Sequence, residues 1–175
     1  MAKKTTVPII EFNSYENPMW SAMWPSPFFY KKRLFKSIEH MYQFYSLDPS
    51  EKELRTKILN SFDPYKAKHF GGPKAKGKER KDQKSKRYDT MKIAIREAYL
   101  QNPIRLLALL ETKGRLVHKA DWDKDWGTGR DGKGADAMGR MLTEFRDSFK
   151  GKKRSEIIDL CVNHSQMRMD FYYHG

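Results

Sequence analysis

A chain of 175 residues with 38% hydrophobic and 13% aromatic content holds enough apolar side chain for one well-filled core and is too apolar for a disordered segment. Thirty-five Lys and Arg against 22 Asp and Glu leave a net charge of +13, which points to an anionic partner such as nucleic acid or a phosphorylated ligand. The single Cys161 excludes an internal disulfide and a thiolate zinc cluster, no apolar run reaches membrane-spanning length, and Met1 to Thr6 leads into no signal-peptide core, so a protein of the reducing cytoplasm is expected.

Val7 to Phe12 is β-branched and aromatic and reads as a short strand, an edge strand because of Pro8. Asn17 to Pro27 is broken by prolines into an irregular segment, where Trp20 and Trp24 suit either a ligand wall or a cap over the core. Phe28 to Phe35 resembles a hairpin turning at Lys31-Lys32, without the Asn-Gly or Asp-Gly that favours such turns. Ser37 then reads as an N-cap, with Ile38, Met41, Tyr42 and Tyr45 forming an apolar stripe at i, i+3, i+4 and i+7. Glu39 sits one residue off that stripe, at the expected edge of buried structure, with Gln43 one turn further along. An acid in a first turn also suits the helix dipole and needs no ligand to explain it.

Glu51 to Asn60 reads as a helix, and Asp63-Pro64 starts another, with Asp63 as N-cap, ending at Gly71-Gly72. From Lys66 to Arg87 cations dominate, among them Lys74, Lys76, Lys78, Arg80 and Lys81. This run suits a solvated mobile loop and a phosphate-contacting arm equally well. Ser85 to Gln101 spells a long helix with Met91, Ile95, Ala98 and Tyr99 inward; Pro103 opens a core helix, Arg115 to Ala120 is extended, and Gly134 to Phe149 and Ser155 to Asn163 are helical.

Two motifs tempt and fail. Gly127-Thr-Gly-Arg-Asp-Gly132 matches G-x-G-x-x-G, but an Asp/Trp-rich loop precedes it where a dinucleotide site requires a strand. It retains a weaker reading, a loop whose N–H groups cradle phosphate, with Lys133 beside it. Asp121, Asp123 and Asp125 alternate like a calcium loop, but Trp126 and Gly132 stand where Gly and Glu are needed. The five histidines lie too far apart in sequence to form a ligand pair, so neither a metal nor a cofactor is indicated.

Several stretches occur in a telling order: Trp20 to Phe28, Ser37-Ile-Glu-His-Met-Tyr-Gln43, Ala67 to Gly71, Leu106 to Thr112, Leu116-Val117, Asp123-Lys-Asp-Trp-Gly-Thr-Gly129 and Gly132 to Gly139. Together they resemble the NADAR (NAD- and ADP-ribose-associated) family, the YbiA-like N-glycosidases, over roughly Ile9 to Phe149. The resemblance implies a mainly helical α+β fold, with residues 1–153 as one domain bearing a short N-terminal β ribbon, and 154–175 as a C-terminal helix and tail packed on it. It implies cleavage of a ribosyl N-glycosidic bond without a metal, with Glu39 as the catalytic glutamate, Trp126, Gly127 and Gly129 in the pocket loop and Asp123 as the acid before it. Ser21, Trp24, His40, Tyr42, Gln43, Gly71, Lys133 and Asp136 complete the expected substrate site. Three positions depart from the family pattern: Ala22 replaces an Asn, Asp136 replaces an Asn, and Gln83 stands where a Trp is usual.

A carboxylate suits this chemistry because breaking a C1′–N bond builds positive charge on the sugar. The expected substrate is ADP-ribosylated nucleic acid or an ADP-ribose-like ligand, with guanine in DNA as the modified base and the basic segment as its phosphate contact. Such an activity would suit an antitoxin, or a phage protein countering host DNA modification. Phosphoribosylamino-pyrimidine intermediates of riboflavin synthesis are the alternative substrates, and a non-catalytic ADP-ribose or nucleic-acid binding module is the alternative class.

Overall fold

The computed structural model describes residues 8–174; Val7, expected to open the first strand, lies outside them. In chain order the elements are β1 (Ile9–Phe12), β2 (Phe28–Tyr30), β3 (Arg33–Phe35), α1 (Ile38–Ser46), α2 (Lys52–Asn60), α3 (Pro64–Gly71), α4 (Gln83–Leu100), α5 (Pro103–Glu111), β4 (Arg115–His118), α6 (Ala137–Asp147) and α7 (Arg154–His174), with 3-10 turns at Pro18–Trp20 and Pro73–Ala75. The fold is mainly helical α+β. Among the described residues no helix is long and apolar enough to cross a membrane. The chain forms two interleaved compact units, one of Met1–Ser21 and Leu107–Gly151, the other of Ala22–Leu106 and Lys152–Gly175.

In the first unit β1 pairs in parallel with β4, Ile9 opposite Arg115 and Phe12 opposite His118. Helix α6 packs on β4. Gly139 permits that approach, since a β-carbon there would overlap the Leu116 carbonyl. Thr143 Oγ1 accepts from the Leu116 N–H at 3.1 Å, fixing the helix against the strand. Helix α6 starts at Ala137, later than the sequence suggested, because Asp136 takes a left-handed φ of 48° and Gly134 is drawn back onto the Thr128 carbonyl.

The second unit surrounds α1 with α2, α3, α4 and β3. The β2–β3 hairpin turns on Lys31 and Lys32, both at positive φ (46° and 60°), the backbone of a type I′ turn built without Asn or Gly. The ammonium of Lys31 lies over the rings of Tyr30 and Tyr45, a cation–π contact that offsets part of the steric cost of the turn. Met91, Ile95, Ala98 and Tyr99 of α4 are all buried, as their spacing predicts.

The basic segment does not hang free. After α3 it folds back on the end of α1: Leu47 and Glu79 form a β-bridge, Asp48 N–H donates to Lys78 O at 2.9 Å, and Arg80 N–H donates to Ser46 O at 3.0 Å. Its Lys78 to Arg80 portion is therefore tied to the end of α1 rather than loose. Helix α4 begins at Gln83, two residues before the expected Ser85.

Helix α7 runs well past the expected Asn163 and packs on α4 and β2. A buried carboxylate holds it there. Glu97 of α4, 1% exposed, accepts from His164 Nε2 at 2.8 Å and from Arg168 at 2.6 and 2.9 Å, and Gln101 adds a bond at 3.1 Å. Burial would raise this carboxyl, but the bonds from His164 and Arg168 outweigh it and hold it below the usual range. A carboxylate with a depressed folded-state pKa stabilises above its unfolded value and loses that stabilisation as pH falls through the folded one. The α7 attachment should therefore weaken only in acid, below about pH 4. Glu97→Gln removes the charged acceptor of Arg168 and His164 and should cost about 3 kcal/mol in urea unfolding at pH 7; a loss under about 1 kcal/mol would show that α7 is held by apolar contact instead.

Candidate active site

In the second unit the site is built on α1. Ser37 caps the helix, its Oγ accepting from His40 N–H, and the Glu39 N–H donates to the Ala22 carbonyl at 3.0 Å. The departure at Ala22 therefore leaves this contact intact, because a backbone oxygen makes it. Glu39 is not at the edge of buried structure, as its offset from the apolar stripe implied. It is 6% exposed, and His40, Met41, Gln43 and Phe44 are buried with it. The stripe misled because α1 is surrounded on several sides, so that polar as well as apolar faces are covered.

Gln43, one turn along, donates from Nε2 to Glu39 Oε1 at 2.8 Å. Gly71, at the end of α3, lies against the other side of that amide, and a β-carbon at 71 would overlap Gln43 Oε1. Gly71 thus acts as a spacer that lets α3 back the Gln43 side chain. Tyr42 lies close enough that burial, and then the Glu39 carboxylate, push its hydroxyl up to about 12, so it stays protonated at neutral pH. Gln83 Nε2 donates to Ser46 Oγ at 2.7 Å and reaches the Tyr42 oxygen at 3.4 Å. The amide at the Trp-to-Gln departure is thus tied to Tyr42.

His40, expected in the substrate site, is 1% exposed, with both ring nitrogens engaged. Nε2 donates to the Ser61 carbonyl at 3.1 Å, which leaves Nδ1 to accept from Ser37 Oγ at 2.8 Å. Burial lowers its pKa, so the ring is neutral and braces the start of α1 against the end of α2. Trp24 is 39% exposed.

In the first unit, Asp123 to Asp136 forms a tightly bonded loop ahead of α6. Asp123 Oδ1 accepts from the N–H groups of Asp125 and Trp126 at 3.0 and 2.8 Å. Thr128, Gly129, Arg130, Gly134, Ala135 and Asp136 all donate to carbonyls within the unit. An open phosphate cradle of backbone amides is therefore overturned: these N–H groups are already spent. Gly127 packs so closely on Ala120 and the His118 carbonyl that no β-carbon fits, and Gly129 needs its φ of 64°. Lys133 is exposed. Trp126 is half-buried, and its carbonyl accepts from His118 Nδ1 at 3.1 Å.

His118, which sequence reasoning passed over as one scattered histidine, organises this loop. Its ring stacks on Phe12 at 5.1 Å, its Nδ1 holds Trp126, and its N–H donates to Asp136 Oδ1 at 2.9 Å. Only knowledge of the β1–β4 pairing shows these partners. Asp136 is 6% exposed, its Oδ2 meets no hydrogen-bond partner among the described residues, and burial pushes its carboxyl up despite the His118 bond. Ser21, also in this unit, is buried, with its N–H on the Pro18 carbonyl. Among the described residues no three His, Cys, Asp or Glu side chains gather where they could hold a metal.

The NADAR domain model matches residues 8–150. The chain belongs to the NADAR family. The NMR structure of the E. coli protein YbiA is similar at a TM-score of 0.70 and 26% identity, covering 81% of this chain and 84% of that one. The riboflavin biosynthesis protein PYRR of Zea mays is 32% identical over 123 residues, 66% of this chain and 20% of PYRR. N-glycosidase YbiA of Shigella flexneri is 29% identical over 104 residues, 59% of this chain and 64% of that protein. The chain therefore spans a fifth of the first of these curated relatives and just under two thirds of the second. The NADAR match ends at residue 150, so α7 (Arg154–His174) lies beyond it.

Two substitutions test these arrangements. A raised carboxyl pKa means that Asp136 favours folding in acid and loses that contribution as pH rises through its folded value. Asp136→Asn keeps the bond to His118 and should raise Tm at pH 7, with the gain vanishing below about pH 4 in calorimetry; a lower Tm at pH 7 would refute the burial argument. Gly71→Ala should push the Gln43 amide off Glu39 and cost about 1–3 kcal/mol of stability by chemical unfolding; an unchanged unfolding midpoint would show that α3 yields freely.

Proposed function

We propose that this NADAR protein is an N-glycosidase that removes ADP-ribose from a nucleobase, with guanine in DNA as the modified base. The observation that carries this reading is the buried Glu39 carboxylate, held by Gln43 at 2.8 Å in the first turn of α1. As the C1′–N bond breaks, its electron pair leaves with the base nitrogen, which takes up a proton, while water adds to C1′ and gives up its own. A fixed carboxylate stabilises the cationic sugar between these events without having to reorient. The protonated Tyr42 keeps a second negative charge away from Glu39. Glu39 supplies turnover, and exposed Lys74, Lys76 and Lys81 with Lys78 and Arg80 supply salt-dependent affinity for a polyanion. Lys78 pairs with Glu51 at 3.2 Å and Arg80 with Asp82 at 2.8 Å, so those two contribute less than the formal charge suggests.

Similarity to a protein named for riboflavin biosynthesis favours a second reading, hydrolysis of a phosphoribosylamino-pyrimidine. Turnover of that metabolite and of an enzymatically ADP-ribosylated oligonucleotide, each at low and physiological salt, separates the two. Free ADP-ribose from the oligonucleotide, with KM rising steeply with salt, is expected; turnover of the metabolite alone, insensitive to salt, would contradict the DNA reading. Glu39→Gln should retain oligonucleotide binding while ADP-ribose release falls by about a hundredfold or more. Release at the wild-type rate would remove Glu39 from the mechanism.

A further inference from the structure

A rigid, exposed phenylalanine in the second unit has no part in the Glu39 site. Phe62 lies in the turn between α2 and α3 and is 88% exposed. The turn around it is firmly tied. Ser61 N–H closes α2 onto the Lys57 and Ile58 carbonyls, Ser61 Oγ donates to the Asp63 carbonyl at 2.8 Å, and the Asp63 carboxylate caps α3 through Tyr65 N–H at 2.8 Å. The Ser61 carbonyl also receives His40 Nε2 and, at 2.7 Å, Lys36 Nζ. A chain so fixed presents its apolar ring to water at little further entropic cost when a partner covers it.

The surroundings of the ring define that partner. Lys36 Nζ lies 4.0 Å from the Phe62 centroid, so a cation stands over the ring while most of its surface stays open. Beside it opens a cleft of about 430 Å³ lined by Lys57, Asn60, Asp63, Lys66 and Phe70, within the usual range for a small-molecule or nucleotide site. Lys36 is bonded to the Leu59 and Ser61 carbonyls rather than to a carboxylate, and Lys66 makes no ion pair among the described residues. Lys57 pairs with Glu53, and the Asp63 carboxylate is occupied by its helix cap. The cleft therefore joins an open aromatic face, an exposed amide at Asn60 and, in Lys66, a cation without an acidic partner, on a chain of net charge +13.

We infer that the α2–α3 cleft binds single-stranded nucleic acid, with a base stacked on Phe62 and a phosphate met by Lys66. Stacking on Phe62 requires a base out of its duplex, which selects a single strand over a double helix. An acidic peptide would match the charge but would leave the aromatic face without a planar partner. This inference shares with the proposed function only a polyanionic partner, and it does not depend on Glu39 chemistry.

Fluorescence anisotropy on unmodified DNA tests it, with a labelled short oligothymidine, a labelled duplex of equal length and labelled polyglutamate as probes. Phe62→Ala should weaken oligothymidine binding by about five- to a hundredfold, Phe62→Trp should restore it, and Lys66→Glu should weaken it while reducing the salt dependence. Duplex binding should not respond to Phe62→Ala, and Glu39→Gln should bind oligothymidine as the wild type does. Wild-type oligothymidine affinity in Phe62→Ala, equal loss with Phe62→Trp, or a Phe62-dependent affinity for polyglutamate would each overturn the inference. Because Phe62 is exposed, an unchanged Tm in Phe62→Ala separates lost stacking from lost fold. If the oligonucleotide result holds while no ADP-ribose is released from any substrate, the binding site stands and the glycosidase reading falls.

Discussion

The second unit depends on a carboxylate that is out of water and yet held. Glu39 is 6% exposed, and an isolated buried carboxylate would either protonate or destabilise the helix that carries it. Its position in the first turn of α1, with the N–H groups of the helix start nearby, is one compensation. The Gln43 amide on Oε1 is another. These contacts fix the group and leave it little freedom to turn, which is the condition under which a developing sugar cation is stabilised without reorganisation.

Much of the remaining structure serves to hold such buried polar groups. Gly71 makes room for Gln43, Gln83 ties Tyr42 to Ser46, and His40 is fixed as a neutral brace between Ser37 and Ser61. In the first unit the same economy appears around His118, which serves the Trp126 carbonyl and Asp136 at once. Glu97 repeats it on α4, where one carboxylate ties His164 and Arg168 of α7. Partly satisfied networks of this kind are costly, so the positions of these residues are tightly specified.

The sequence revealed its periodic parts best. The caps at Ser37 and Asp63, the inward face of α4 and the turn at Lys31-Lys32 follow from short-range rules, and the structure repeats them. Order of motifs, rather than spacing within any one, carried the family. What stayed hidden depends on distant partners. The burial of the polar residues Glu39, His40 and Gln43 on α1 requires α2, α3 and α4 together, the extent of α7 goes with Glu97 some seventy residues earlier, and the occupied amides of the glycine loop depend on carbonyls at His118, Asp121 and Asp123. Phe62 was unremarkable as a letter; its exposure and the cation over it exist only in the fold.

The central claim is that the orientation of one carboxylate, not merely its presence, drives the reaction. The most direct measurement is the turnover of ADP-ribosylated oligonucleotide by Gln43→Ala, with kcat and KM determined separately. If Gln43 holds Glu39 in its working position, kcat should fall about tenfold or more while KM stays near the wild-type value. An unchanged kcat in a variant that retains the wild-type Tm would contradict the account.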